Sequence, residues 1–510
     1  MQSHQISEQI SPTEERFENL RRRSGFFLAP LLFVIIVLLP FPGLTREAHF
    51  LAAIVAFTAA LWITEAIPMA AAALLGPALC VGFGIGPMKS VFAPFADPVV
   101  FLFIGSFILA EAMFRHGLDR RIAVTILSLK MVGPRPGRIL VAFSLVTLFL
   151  SMWLSNTATT AMMYPIGLSL LSALTKAGKQ NGRKPDSGVY ASAVMLLCAF
   201  SSSLGGMGTP VGTPPNLIGL GMISQATGIR ISFFQWMLLA LPIVVVLYLF
   251  LLFVVGRKTR AQLPQTGGFE EWIRSERKSM GPLSKGERNT AIAFLCTAAL
   301  WIFPGIIGIL FGGESEVSKF LEVHLPESVA AIVGITLLFV LPTNWRERTF
   351  TLGWKQAAQI DWGTILLFGG GLSLGSLMFA TGLAEGIGQT LQDWTGAHTI
   401  VAMTFLFTAL SIFTSELTSN TASANVIIPI AIGLAKASGV SVLLPALGAC
   451  LGASMGFMLP VSTPPNAIVY GSGLVPITRM IRHGFAMDLM AAVVIPCVLF
   501  LWGPIVLATV

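Results

Sequence analysis

The chain has 510 residues, of which 54% are hydrophobic and only 11% are charged. About a quarter of the residues of an average soluble domain are charged, so the composition excludes a soluble globular protein and predicts an integral membrane protein. The formal net charge of +8 is spread over separate basic loops, which argues against a nucleic-acid partner.

The first predicted span covers residues 26–44 and follows three consecutive arginines, Arg21, Arg22 and Arg23. Because no small-residue cleavage site follows this apolar run, we interpret it as a retained transmembrane helix and residues 1–25 as a cytoplasmic tail. Further apolar runs recur along the chain and predict about 11 transmembrane helices in an all-α, polytopic protein. We expect this protein to lie in the lipid bilayer of the cytoplasmic (inner) membrane.

An internal repeat is indicated by three pairs of matching segments that occur in the same order in each half. The pairs are DPVVFLFIG (97–105) with DWGTILLFG (361–369), SNTA (155–158) with SNTA (419–422), and PVGTPPNLI (210–218) with PVSTPPNAI (460–468). Collinear matches of this kind predict two repeats, 45–256 and 289–510, joined by a charged cytoplasmic linker at 257–288.

Basic residues mark the cytoplasmic loops, and counting spans between these loops predicts the orientation of each repeat. Two apolar segments, 137–174 and 399–437, carry SNT in their middle, and each begins and ends on one side of the membrane. We therefore predict two re-entrant hairpins that enter from opposite faces, as inverted-topology repeats require. The amino terminus is then cytoplasmic and the carboxyl terminus extracytoplasmic.

The SNT and TPP segments are predicted to interrupt helices at membrane depth. Such breaks persist only where protein or a water-filled cavity surrounds the freed backbone groups, and Pro214 and Pro215 cannot both lie inside a helix. Carbonyl, hydroxyl and amide oxygens suit a hard cation such as Na⁺, and the following helix N-termini suit an anion. Since these segments contain no Lys or Arg, a bound anion would need co-bound cations to balance its charge.

The doubled SNT motif, each copy followed by a TPPN element, resembles the divalent anion sodium symporter family over nearly the whole chain. The resemblance implies transport of di- or tricarboxylates with Na⁺, a homodimer and an elevator-type alternating-access movement, with discontinuous helices at the site. It implies Na⁺ ligands at Ser151, Ser155, Asn156 and Gly212 in the first repeat and at Ser415, Ser419, Asn420 and Ser462 in the second. It implies substrate contacts from Asn156, Thr157, Asn420, Thr421, Thr213, Pro214, Thr463 and Pro464.

Acidic residues at membrane depth are expensive and often functional. Asp97 and Asp361 begin equivalent spans and are predicted to be helix caps. Glu416 lies three residues before the second SNT, where the first repeat has Met152, and is a candidate proton or cation site in one repeat only. The five cysteines contain no CxxC pair and the histidines no spaced cluster, which indicates neither a disulfide framework nor a metal centre.

The sequence therefore predicts a secondary transporter, not an enzyme, that imports C4-dicarboxylates such as succinate, malate and fumarate with Na⁺. Three alternatives stay open: a sodium-independent dicarboxylate exchanger, a transporter of citrate or sulfate, and an anion channel on the same scaffold. An intramembrane enzyme is disfavoured because no membrane-depth Ser and His or paired acids converge at equivalent positions of the repeats.

Overall fold

A computed structural model describes residues 12–41, 43–133, 135–180, 187–259, 268–312 and 315–507. Within these ranges the chain is almost entirely helical, and its strands are the short antiparallel pair β1 (Pro342–Asn344) and β2 (Thr349–Phe350). The predicted all-α fold is confirmed. Residues 1–11 of the predicted tail and 260–267 of the predicted linker lie outside the described ranges.

The helices of the first half are α1 (Pro12–Leu38), α2 (Arg46–Thr64), α3 (Met69–Gly82), α4 (Met88–Phe92), α5 (Pro98–His116), α6 (Leu118–Leu127), α7 (Pro136–Ser151), α8 (Asn156–Gln180), α9 (Ser187–Gly206), α10 (Pro214–Thr227) and α11 (Phe233–Thr259). A 3₁₀ turn at Ala93–Ala96 connects α4 to α5.

The helices of the second half are α12 (Phe269–Ser279), α13 (Lys285–Phe311), α14 (Glu316–His324), α15 (Glu327–Val340), α16 (Trp354–Ala357), α17 (Trp362–Ala380), α18 (Leu383–Thr395), α19 (Ile400–Leu417), α20 (Asn420–Ala437), α21 (Leu443–Gly452), α22 (Pro464–Tyr470) and α23 (Ile477–Leu507).

Nine helices of the described residues are long and apolar enough to cross a membrane, and α14 with α15, bent by 56° at their junction, makes a tenth candidate. The shorter helices α3, α7 and α21 are also apolar. Large apolar side chains such as Phe27, Leu249 and Leu310 are exposed on the outer faces, where lipid would contact them. The predicted polytopic membrane protein is thus confirmed.

Two helical hairpins, α7–α8 and α19–α20, occupy matching places in the two halves, and each packs on the helix that precedes a TPP element. The first hairpin contacts α9 and the second contacts α21. The short helix after each TPP element crosses to the other half, so that α10 packs on α20 and α21 whereas α22 packs on α8 and α9. The short helix of each half thus contributes to the packing around the hairpin of the other half.

Glycines allow each hairpin to approach its neighbouring helix closely. A Cβ atom at Gly205 of α9 would lie 2.1 Å from the carbonyl oxygen of Leu148 in α7, and one at Gly452 of α21 would lie 2.7 Å from that of Thr408 in α19. Both contacts would involve backbone atoms, so any larger residue would force the helices apart.

We expect Gly205→Ala to destabilise the protein by about 1–3 kcal/mol, because overpacking at a helix contact strains the backbone. The melting temperature of the purified protein in detergent should fall accordingly. Gly137→Ala is the matched control, since no atom lies within 4 Å of a Cβ at that position. Equal melting temperatures for both variants would contradict the close packing of α7 on α9.

Candidate functional site

The tip of the first hairpin is a short turn between α7 and α8 that is closed by side-chain hydrogen bonds. Ser155 caps α8, since its Oγ accepts the backbone N–H of Ala158 at 3.2 Å. Ser151, the last residue of α7, donates its hydroxyl to Asn156 Oδ1 at 2.8 Å. The three polar residues of the tip are therefore held together across the turn.

The tip of the second hairpin repeats this arrangement 264 positions later. Ser419 Oγ accepts the N–H of Ala422 at 3.2 Å, and Ser415 donates its hydroxyl to Asn420 Oδ1 at 2.7 Å. The sequence repeat is therefore also a repeat of individual hydrogen bonds.

The loop before the first TPP element, residues 207–213, is held by the asparagine that follows the two prolines. Asn216 is fully buried, and its Nδ2 donates to the carbonyl oxygens of Gly206 at 2.9 Å and Thr209 at 2.8 Å. These carbonyls lie at and beyond the end of α9, where no helical N–H is available to them. One side chain thus compensates for two lost backbone bonds.

The loop before the second TPP element, residues 453–463, uses the equivalent asparagine in the same way. Asn466 is fully buried and donates to the carbonyl oxygens of Gly456 and Leu459, both at 3.0 Å. All three positions follow their first-repeat counterparts by 250 residues. Sequence analysis singled out the TPPN element but did not assign this role to its asparagine.

In the first half, the hairpin tip lies directly against the loop. A Cβ at Gly206 would lie 2.2 Å from Asn156 Oδ1, and a Cβ at Gly212 would lie 2.5 Å from the carbonyl oxygen of Gly206. Thr209 also donates its hydroxyl to the carbonyl of Met152 in the tip. Gly206 therefore lies against both Asn156 of the tip and Gly212 of the loop, which are both predicted Na⁺ ligands.

In the second half, the tip and the loop meet at Gly456. A Cβ at this glycine would lie 3.3 Å from Asn420 Oδ1, 3.3 Å from Ser462 Cβ and 3.2 Å from the methyl group of Thr463. The structure therefore brings together Asn420, Ser462 and Thr463, which the sequence placed in one site.

The predicted substrate contacts differ in their accessibility. Asn156 and Asn420 are half-buried at the tips, Thr213 and Thr463 are buried, and the remaining four are half-buried or exposed: Thr157, Thr421, Pro214 and Pro464. Thr463 Oγ1 has no hydrogen-bond partner within the described residues. It is an available polar group at the edge of the second loop, and a buried hydroxyl without a partner is unusual in a folded protein.

Glu416 anchors the second loop through its buried carboxylate. Oε1 accepts the backbone N–H groups of Phe457 and, at 2.7 Å, of Met458, while Oε2 accepts the N–H of Leu459 at 3.3 Å and the hydroxyl of Ser462 at 2.5 Å. Four donors therefore satisfy this buried carboxyl group, which would be costly to bury without hydrogen-bond partners. The carboxylate thus gives this loop a support that Met152, its counterpart in the first repeat, cannot provide.

A second buried acid, Asp488, lies on α23. Helix α23 lies against the same loop, because a Cβ at Gly484 would approach the Phe457 carbonyl to 2.5 Å. Neither carboxyl oxygen of Asp488 has a hydrogen-bond donor within the described residues. Sequence analysis missed Asp488, although an acid inside the apolar segment 485–508 is itself a signal of function.

The two aspartates predicted to cap helices do so. Asp97 Oδ1 accepts the N–H of Val99 at 2.9 Å at the start of α5, and Asp361 Oδ1 accepts the N–H of Thr364 at 3.1 Å at the start of α17. Their place at equivalent repeat positions is therefore explained by local helix structure.

The surroundings of the two hairpins differ. In the second half α18 packs tightly on α20: a Cβ at Gly433 would lie 2.1 Å from the carbonyl oxygen of Ala384, and one at Gly388 would lie 2.6 Å from the backbone of Leu434. These helices are therefore in direct backbone contact along the second hairpin.

In the first half a cavity of about 550 Å³ borders the corresponding face of α8. Its walls include Pro165 and Ser169 of α8, Arg115 and Arg120 near the α5–α6 corner, and Glu276 of α12. Arg120 pairs with Glu276 at 2.6 Å across the mouth. One hairpin is thus packed against its neighbour, whereas the other borders an open space.

Two hairpin tips beside two interrupted helices are an arrangement typical of membrane transporters. A family model described as the sodium:sulfate symporter transmembrane region matches residues 22–509. The chain belongs to this family, and the family membership expected from the paired motifs is confirmed.

Two individual relatives match nearly the whole chain. The chain is 36% identical over 502 residues to the "Sodium-dependent dicarboxylate transporter SdcS" of Staphylococcus saprophyticus, covering 97% of this chain and 94% of that protein. It is 35% identical over 490 residues to the protein of the same name in Staphylococcus aureus strain USA300, covering 95% and 91%.

A solved structure also shares the fold. The Alcanivorax borkumensis YdaH transporter, whose structure is described as having an unusual topology, matches 95% of this chain and 99% of its own with a TM-score of 0.53. Because the sequences are only 14% identical, this similarity concerns the fold alone.

We expect Asn216→Ala and Asn466→Ala each to lower stability by about 1–3 kcal/mol for every buried carbonyl left without a donor. The melting temperature of the purified protein in detergent measures the effect. Asn19→Ala, at an exposed position of α1, is the control and should melt like the unaltered protein. A normal melting temperature for both core variants would mean that the loops hold their shape without these bonds.

Proposed function

We propose that the chain imports C4-dicarboxylates such as succinate, malate and fumarate together with Na⁺. The observation that carries this proposal is the pair of sites in which a Ser-Asn tip faces an interrupted helix, without a Lys or Arg in any of the four segments. The names of the staphylococcal relatives support a dicarboxylate substrate and sodium dependence.

The first proposed Na⁺ site consists of Ser151, Ser155, Asn156 and Gly212, and the second of Ser415, Ser419, Asn420 and Ser462. Hydroxyl, amide and carbonyl oxygens are the ligands that hard cations prefer. The contacts of Asn156 with Gly206, and of Asn420 with Gly456, support both assignments because each puts a tip next to its loop.

The proposed substrate lies between the two tips and contacts the Asn and Thr side chains of both SNT motifs and the two TPP elements. Helix α8 begins at Asn156 and α20 at Asn420, so two helix N-termini direct positive dipole ends and free N–H groups to this region. A doubly charged anion also needs nearby cations, because two helix ends carry only about half a charge each. Binding of Na⁺ and substrate is therefore coupled.

The same fold is compatible with two other substrates, sulfate and citrate, and with sodium-independent exchange. The family description names sulfate, which is a smaller dianion, and citrate is a larger tricarboxylate. A sodium-independent exchanger would need another source of positive charge near the tips, and the four segments offer none. This absence favours the symporter over the exchanger.

Alternating access in this proposal occurs by an elevator movement of the hairpins and the interrupted helices relative to the remaining helices. The tight α18–α20 packing on one side and the 550 Å³ cavity beside α8 on the other support a state that is open on one face only. With the basic α5–α6 corner in the cytoplasm, that face is the inner one. We further propose inverted repeats and a homodimer in the cytoplasmic membrane.

We expect Asn156→Ala and Asn420→Ala each to abolish Na⁺-dependent uptake of labelled succinate in proteoliposomes, because each removes an oxygen proposed to bind both Na⁺ and substrate. Gel filtration and melting temperature would establish that each variant folds. Normal uptake by both folded variants would refute the site assignment.

The orientation predicts which side reaches the cavity beside α8. In a variant lacking the five native cysteines, we expect Ser169→Cys to react with a membrane-impermeant maleimide from the cytoplasmic face only. Ser192→Cys, at a fully buried position of α9, is the control and should not react from either side. Reaction of Ser169→Cys from the outer face alone would reverse the proposed topology.

A further inference from the structure

A second cavity, of about 510 Å³, lies where the ends of three helices meet. Its apolar wall is one face of α9, formed by Val189, Ala193 and Leu196, together with Val255 near the end of α11. None of these residues belongs to the hairpin tips or to the loops before the TPP elements. The cavity is thus separate from the proposed transport site.

The opposite wall carries two arginines and a histidine. Arg479, Arg482 and His483 line it from the first turns of α23, and their spacing of three and four residues puts them on one face of the helix. The α23 N-terminus adds the positive end of a 31-residue helix. No acidic side chain is among the described residues that line the cavity.

Like charges on one helix face repel each other unless something compensates for them. The Arg479 guanidinium donates to the carbonyl oxygen of Gly188 at 3.2 Å, and this carbonyl is a neutral acceptor. Arg482 is exposed toward the cavity mouth and has no acidic partner among the described residues. Among the described residues that line the cavity, no acidic side chain balances this charge.

The first repeat has no counterpart of these two arginines. The equivalent positions, 250 residues earlier and just before or at the start of α11, are occupied by Ile229, Ser232 and Phe233. A cavity of about 130 Å³ beside them contains Arg230 together with Asp97 and Glu327, so positive and negative side chains both line it. Of these two repeat-related cavities, only the one at α23 has arginines and no acidic side chain among its lining residues.

We propose that this second cavity binds an oxyanion through the guanidinium groups of Arg479 and Arg482, outside the transport pathway. Guanidinium groups form paired, charge-assisted hydrogen bonds with phosphate or carboxylate oxygens. The ligand is either a free anion such as phosphate or the phosphate of an acidic phospholipid headgroup, whose acyl chain the apolar wall would accommodate.

A bound anion would join α9 to α23. Helix α9 runs directly into the loop at 207–213, and α23 lies against the loop at 453–463 through Gly484. The anion would therefore hold α9, which leads into the first loop, against α23, which packs on the second loop. It should raise the thermal stability of the protein without being transported.

The test is the melting temperature of the detergent-purified protein in Na⁺-free potassium buffer, titrated with inorganic phosphate against chloride at equal ionic strength. The Arg479→Gln/Arg482→Gln variant removes the proposed ligands. The Arg346→Gln/Arg348→Gln variant, altered at exposed positions of the β1–β2 turn, removes the same charge elsewhere. In parallel, lipid retained from nanodiscs of phosphatidylglycerol or phosphatidylcholine is identified by native mass spectrometry.

We expect phosphate to stabilise the unaltered protein and the β-turn variant, and the phosphate concentration at half effect to rise at least about tenfold in Arg479→Gln/Arg482→Gln, since two charge-assisted contacts are lost. Selective loss of bound phosphatidylglycerol in that variant would support the same cavity with a headgroup as its ligand. The proposal would be wrong if phosphate raised the melting temperature of all three proteins equally and all three retained the same amount of phosphatidylglycerol.

A further variant separates this cavity from the transport site. Phosphate should still stabilise Asn156→Ala/Asn420→Ala, because its cavity at α23 is intact. If stabilisation disappears in that variant and persists in Arg479→Gln/Arg482→Gln, phosphate binds at the tips and the proposal is wrong.

Discussion

The structure depends on one constraint: backbone polar groups that leave a helix inside a membrane must find other partners. In this chain, side chains form hydrogen bonds with the backbone groups that the interrupted helices leave without partners. Asn216 and Asn466 each bind two freed carbonyls, and Glu416 binds three freed N–H groups. Because these bonds hold the loops, the chain can keep non-helical segments next to the hairpin tips.

The same constraint explains why the proposed site contains neutral oxygens and no basic side chains. A permanently cationic site would bind a dianion without needing Na⁺, and a buried cation without a partner would be costly once the anion left. A site of hydroxyls, amides and carbonyls acquires positive charge only when Na⁺ binds. The asymmetric packing around the two hairpins then supplies the two faces that alternating access needs.

The sequence predicted the elements that have a local signature. The SNT tips, the TPP interruptions and the caps at Asp97 and Asp361 were recognisable because prolines and capping residues act on their own neighbours. The partners of Glu416 were not, because they lie 41 to 46 residues further along the chain in a loop without regular structure. The sequence also could not predict that α10 packs on helices of the second half and α22 on helices of the first half. An apolar face does not specify which helix it contacts.

The most direct measurement is uptake of labelled succinate into liposomes that contain the purified protein, under an inward Na⁺ gradient or an inward K⁺ gradient, with the vesicles empty or preloaded with unlabelled succinate. The proposed mechanism predicts accumulation that needs the Na⁺ gradient and no preloading. Uptake that needs preloading and is the same in Na⁺ and K⁺ would contradict it, and the two tips would then act as a substrate clamp alone.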